Sequence, residues 1–169
     1  DQLKTVDMGE GERIPTLEEV LNLCKGKIGV QIEIKGDGMA QSVVEMIEKE
    51  KMVSDVLLSS FKHGEMKEAK KINPKIATAS LEPNALSAVR GLFFKSTFIK
   101  EAKENQTNEI HPYQFYASKK KKKKAHKRNL LVNPWTVDKE KDYRKLIKNG
   151  VDGIITNDPK GLYEYLSKL

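Results

Sequence analysis

Lys27-Ile28-Gly29-Val30-Gln31-Ile32-Glu33-Ile34-Lys35 alternates without a break. In an extended chain, Ile28, Val30, Ile32 and Ile34 fall on one face and Gly29, Gln31, Glu33 and Lys35 on the other. The β-branched row suits a sheet face packed beneath helices. The opposite row climbs toward the carboxyl end of the strand as an amide, a carboxylate and an ammonium. Burying such groups without partners is costly, so this row should meet water, a metal or a bound anion. A half-solvated antiparallel strand would show the same alternation. The neighbouring segments separate the two readings.

Working outward, Thr16 with Glu19 three residues later forms a capping-box pattern after Pro15 and predicts a helix over 17–24. On the other side, Val43, Val44, Met46 and Ile47 make an apolar stripe and predict a helix over about 39–52. Residues 56–61 read as a short buried strand, 65–72 as its helix and 75–81 as a third strand. Another strand is expected over 130–137. Tyr143, Leu146 and Ile147 then mark a helix that Gly150 can end, because glycine accepts the left-handed geometry that follows a helix. Residues 153–156 read as a strand, and Asp158-Pro159 can cap and open a last helix. Repeated β–α alternation implies parallel strands with helices outside, either as an open doubly wound sheet or as a closed (β/α) barrel. Between 83 and 124 the pattern weakens. Leu92, Phe93, Phe94, Phe98 and Ile99 could line a helix, and 109–116, interrupted by Pro112, makes a sixth strand with a broken end.

Composition narrows the function classes. The 169 residues fit one domain, and no apolar run approaches the roughly 20 residues of a membrane-spanning helix. Cys24 is the single cysteine, so no internal disulfide forms, and no Cys/His cluster has zinc spacing. Low cysteine use favours a reducing compartment, and a cytoplasmic location is expected. The net charge of +7 belongs to one tract: Lys119 to Lys124 supply six of 31 basic residues, leaving 25 against 24 acidic ones. Six lysines offer no apolar face, so a solvated or frayed segment is expected there. The alternative is a contact with a polyanion or an anionic membrane. Aromatic residues are not interleaved with the lysines, so no nucleic-acid partner is expected.

In (β/α) barrels the active site lies at the carboxyl ends of the strands. Here those ends carry Glu33 and Lys35, then Ser59-Ser60-Phe61, Asn133-Pro134-Trp135 and Thr156-Asn157-Asp158. Glu33 can give hard oxygen ligands to Mg²⁺ or Ca²⁺, and Lys35 a point charge to a phosphate oxygen. Asp158 reads as a helix cap.

Five stretches in register give the chain a specific likeness. They are Ile14-Pro-Thr-Leu-Glu-Glu-Val-Leu21, Ile32-Glu-Ile-Lys35, Ser60-Phe61 followed by His63, Trp135-Thr-Val137, and Gly150-Val-Asp-Gly-Ile-Ile-Thr-Asn-Asp-Pro159. Together they resemble the glycerophosphodiester phosphodiesterase family of phospholipase-C-like barrels, over about 14–81 and 126–169. The resemblance implies a (β/α)₈ TIM barrel that hydrolyses glycerophosphodiesters to an alcohol and glycerol 3-phosphate. It also implies a divalent cation, Mg²⁺ or Ca²⁺, held by three carboxylates, and two histidines as general acid and base. Glu33 matches the third metal carboxylate and Lys35 the adjoining phosphate-steadying cation. Phe61 and Trp135 match rings lining the pocket for the glycerol or leaving group. The family's His-Arg-Gly segment, Glu-x-Asp pair and second histidine have no match. The resemblance therefore implies a single partial domain over 1–169 carrying about strands 3–8, with the first two β–α units absent and the acid–base histidines upstream of Asp1. His63, His111 and His126 are not expected in that role, and the chain alone is expected to be inactive. Two other readings remain: a non-catalytic module binding polyanions or anionic membrane through Lys119 to Lys124, and a related phosphodiesterase of phospholipase type.

Overall fold

The computed structural model describes residues 2–83 and 98–169. Five strands, β1 (Val30–Glu33), β2 (Val56–Ser60), β3 (Ala77–Glu82), β4 (Glu109–Pro112) and β5 (Leu131–Val132), form one sheet in that order. All four pairings are parallel. Parallel neighbours require a crossover, and helices supply it. Among the described residues these are α1 (Leu17–Cys24), α2 (Ala40–Lys49), α3 (His63–Ile72), α4 (Phe98–Glu104), α5 (Lys119–His126), α6 (Glu140–Asn149) and α7 (Pro159–Leu166). The expected caps are in place. Thr16 Oγ1 accepts from the Glu19 N–H while Glu19 accepts from the Thr16 N–H. Gly150 ends α6 at φ 76°, and the Asp158 carboxylate accepts from the Gly161 N–H at 2.9 Å.

The register divides the strand side chains between two faces. Gln31 lies beside Leu57, Glu33 beside Ser59, Ser59 beside Ala79, Ala79 beside Glu109 and Leu81 beside His111. The other face carries Val30, Ile32, Val56, Leu58, Ile110 and Val132. It packs against Val44, Ile47, Met66 and Ala69 of α2 and α3 at one end, and against Ile99 and Ala125 at the other. Ile28, expected in the apolar row, lies just before β1 and is 68% exposed, beyond the reach of the helices.

The sheet is curled. Strands three places apart would stand about 14 Å from each other in a flat sheet of ordinary spacing. Yet Gln31 on β1 approaches His111 on β4 at 3.4 Å, and the Phe61 ring just past β2 meets Trp135 just past β5 with centroids 5.5 Å apart. The face carrying Glu33 and Ser59 is therefore the concave one.

Three expectations change. Six paired strands were expected and five are found among the described residues, because Pro134 has no N–H to donate and interrupts both the 130–137 strand and its partner. Residues 153–156 still run alongside: the Asp152 N–H bonds the Val132 carbonyl, and the Ile155 N–H bonds that of Pro134. The strand expected over 109–116 stops at Pro112 and passes into a short 3₁₀ turn, Gln114–Tyr116. The lysine run is a helix rather than a frayed segment. Ser118 caps it, Ala125 is fully buried, and the half-buried Lys121 places its amine over the rings of Phe98 and Tyr116, 5.2 and 4.7 Å from their centroids. Lysine stems can cover apolar surface even where no apolar residue is present. Phe98 and Ile99 lie on α4 and are buried, whereas Leu92, Phe93 and Phe94 fall outside the described residues. No described helix is long and apolar enough to cross a membrane.

Candidate active site

Glu33 ends β1, and Lys35 follows two residues on, on the same side of the chain. Their charged atoms are 4.0 Å apart, with the Lys35 side chain 80% exposed and that of Glu33 36% exposed. The turn after them is held from outside. Glu65 on α3 accepts hydrogen bonds from the backbone N–H groups of Gly38, Met39 and Ala40 at 2.6, 3.0 and 2.8 Å. A carboxylate at the positive end of a helix meets both the orphan N–H groups and the dipole of α2. Lys62 adds an ion pair to Asp37 at 2.6 Å. Ser60 Oγ donates to the Ile34 carbonyl at 2.6 Å, pinning the residue between Glu33 and Lys35.

Deeper on the concave face is a polar chain that the sequence did not reveal. Gln31 donates to Ser59 Oγ at 3.1 Å and faces His111 Nδ1; His111 Nε2 meets Glu109 at 2.9 Å; Asn133 donates to the same Glu109 oxygen at 2.6 Å. A ring nitrogen facing a carboxylate oxygen must donate and one facing an amide N–H must accept, which fits His111 with its proton on Nε2. Gly153 approaches Asn133 closely: a Cβ there would stand 2.8 Å from Asn133 Oδ1 and would force that side chain to shift.

Aromatic rings close the carboxyl end. Phe61 meets Trp135 edge-on; Tyr113 contacts Trp135 at 5.4 Å and Phe115 at 5.4 Å. Trp135 donates its indole N–H to the His111 carbonyl at 2.6 Å, which orients the ring. Tyr113 was not singled out in the sequence. The period of two from His111 was the available signal, hidden by Pro112. Just beyond, Asp138 accepts from the Asn157 N–H at 2.8 Å and from Thr156 Oγ1 at 3.0 Å, joining the Trp135 and Thr156 strand ends. The Asn157 backbone bond, ahead of the side-chain bonds, holds the Asp138 carboxyl below the usual range.

The other two histidines are engaged elsewhere. His126 pairs with Asp152 at 2.7 Å. His63 lies on the opposite, helix side, its Nε2 at 3.1 Å from the Leu81 carbonyl and 3.4 Å from Glu82. Burial holds its pKa below the ordinary 6.5, against the opposing pull of the Leu81 carbonyl and Glu101. His63, Glu82 and Glu101 bring ligand atoms within 4.8 Å of one another and are the only such set of three among the described residues. No such set includes Glu33. On the concave face the described residues thus offer a divalent cation Glu33 without completing the coordination, which takes about six oxygens.

A parallel, helix-flanked sheet curled around a polar concave face, with charge and rings at its carboxyl end, defines an α/β protein with the sheet architecture of TIM barrels. The sequence profile of the glycerophosphoryl diester phosphodiesterase family matches residues 1–161, and the chain belongs to that family. A glycerophosphodiester phosphodiesterase of Caldanaerobacter subterraneus subsp. tengcongensis is 30% identical over 184 residues, covering 99% of this chain and 71% of that protein. One from Bacillus altitudinis is 30% identical, covering 86% of this chain and 60% of that protein. Among solved structures, a glycerophosphodiester phosphodiesterase from Parabacteroides distasonis superposes with TM-score 0.84 at 24% identity, over 99% of this chain and 70% of the other. An Oleispira antarctica phosphodiesterase, solved with its product sn-glycerol-3-phosphate, superposes with TM-score 0.77 at 19% identity, over 98% of this chain and 69% of the other. The chain spans between 60% and 71% of the length of these relatives.

Proposed function

We propose that this chain carries the phosphate and alcohol subsites of a glycerophosphodiester phosphodiesterase, on a (β/α)₈ plan of which the curled five-strand sheet is an arc. The observation that carries this reading is the placement of Glu33 and Lys35 side by side on the concave face, at the end where Phe61 meets Trp135 edge-on. Lys35 steadies the charge that builds on the phosphoryl oxygens, and its exposed amine is able to reach them. Phe61 and Trp135 form a wall for the glycerol or the leaving alcohol. Glu33 is one ligand of a divalent cation, Mg²⁺ or Ca²⁺, which when bound supplies positive charge beside the phosphate. Glu65 and Lys62 act as positioning residues that hold the turn after Lys35. His63 lies on the helix side and His126 is paired with Asp152 at the end of α5, which leaves His111 as the one histidine on the concave face; the described residues thus hold no pair of histidines to act as acid and base, and the 169-residue chain is expected not to turn over substrate alone.

Trp135 is the single tryptophan and reports on the site directly. Titration with sn-glycerol 3-phosphate in the presence of Mg²⁺ or Ca²⁺ is expected to give a saturable change in its fluorescence. Lys35→Ala should weaken binding by about 10- to 100-fold, and Glu33→Ala should remove the dependence on the cation. A signal unchanged by either substitution would sink the site. Choline release from glycerophosphocholine by this chain, abolished by Glu33→Ala, would uphold the site and overturn the expected inactivity.

A further inference from the structure

Between Ala117 and Val137 lie eight of the chain's 31 basic residues and none of its 24 acidic ones, so the rest carries 23 basic against 24 acidic. The body is neutral and one element is strongly basic. That element folds against its own local electrostatics. Lys119 and Lys123, and Lys120 and Lys124, are like charges one turn apart, and the first turn sets lysines at the positive end of the helix where acids are favoured. The helix is held from its inner side by the Ser118 cap, buried Ala125 and the Lys121 stem, leaving Lys119, Lys120, Lys123 and Lys124 exposed. Local rules broken this consistently mark a functional surface more often than a structural one.

What lies beside the lysines indicates the partner. Phe115, in the 3₁₀ turn that leads into α5, is 71% exposed. It belongs to the line of rings that runs through Tyr113 to Trp135, and Lys145 of α6 stands 6.0 Å above it. Asn149 of α6 donates to the Ala117 carbonyl at 3.0 Å, fixing the two helices as one surface. A protruding ring bordered by cations matches a bilayer interface, where aromatics sit at headgroup depth and lysines meet anionic headgroups. Of these rings only Phe115 is strongly exposed, so no run of open ring faces is offered to successive bases, which disfavours single-stranded nucleic acid. Because α5 follows β4, Phe115 and the first turn of α5 lie toward the carboxyl ends of the strands, the end that also carries Glu33, Lys35 and Trp135.

We propose that the exposed lysines of α5 together with Phe115 form a docking surface for an anionic phospholipid bilayer, presenting the rim of the barrel to the membrane. The test is co-sedimentation of the full chain with phosphatidylcholine vesicles made with and without phosphatidylglycerol. Binding is expected only with phosphatidylglycerol, and it should weaken as salt rises. The triple substitution Lys119→Gln, Lys120→Gln, Lys123→Gln should lower binding on the order of 100-fold, while the same three changed to arginine should retain it. Phe115→Ser, at a site too exposed to unfold the chain, should cause a loss that low salt does not restore. Equal binding to both vesicle types, or binding unaltered in the triple glutamine variant, would overturn the proposal. So would tighter binding to a single-stranded oligonucleotide than to the anionic vesicles. The glycerol 3-phosphate titration is independent of all of these outcomes.

Discussion

The two faces of the sheet both carry charge, but they treat it differently. On the helix side, Glu65 and Glu82 are almost wholly buried, and Glu65 is satisfied by three backbone N–H groups. On the concave side, among the described residues Glu33 and Lys35 pair with each other and remain open to solvent. A buried carboxylate must be paired or hydrogen-bonded to persist. Helix-side charge is therefore committed to the fold, as is Glu109 deep on the concave face, whereas Glu33 and Lys35 at the concave rim are open to a ligand. Apolar groups differ too: branched aliphatics of the strands pack under the helices, while the concave face mixes Leu57, Ala79 and Leu81 with amides, a hydroxyl and rings.

The sharpest way to break this comparison is to substitute adjacent residues of one strand. Leu58→Ala removes a fully buried helix-side chain and should cost about 2–5 kcal/mol in denaturant unfolding. Ser59→Ala, one residue on but facing the hollow, loses the bond from Gln31 and should cost only about 0.5–1.5 kcal/mol. Equal costs would mean that the two faces are packed alike. Glu65→Ala should come next, near 1.5–3 kcal/mol, because it frees three N–H groups at the start of α2.

A smaller effect is expected on acidification. The folded chain holds His63 below its ordinary pKa, chiefly by burial, so the unfolded chain takes up a proton first. Stability from this group is present above about pH 6.5 and declines as pH falls from there through the lowered folded value. His63→Gln should flatten that part of the unfolding profile; a profile of the same slope would remove His63 as its source. Least of all, Glu33→Gln and Lys35→Ala should alter unfolding by no more than about 0.5 kcal/mol while changing ligand binding. A large stability loss from either would move that pair from the site to the scaffold.

Much of this was legible along the chain because local rules agree there. The Thr16–Glu19 box, the Gly150 stop and the Asp158 cap are interactions within a few residues, and each forms as read. The 27–35 alternation placed Glu33 and Lys35 on the non-helix face. The helix over the lysine run is not legible because it has no apolar stripe; the stem of Lys121 and one buried alanine suffice to pack it. The strands near Pro112 and Pro134 came out short because a missing donor ends a ladder even where the side-chain period continues.

Period and capping thus determined, from the sequence by itself, where α1 and α7 begin, where α6 ends and which row of β1 is polar, since these depend on neighbours a few residues away. Only the tertiary structure decided that Gln31 reaches His111, that Glu65 holds the turn after Lys35, and that Phe61 meets Trp135. Those contacts join residues 80, 27 and 74 positions apart in the chain. They come from the curl of a twisted parallel sheet, a property of how strands associate that no single segment carries.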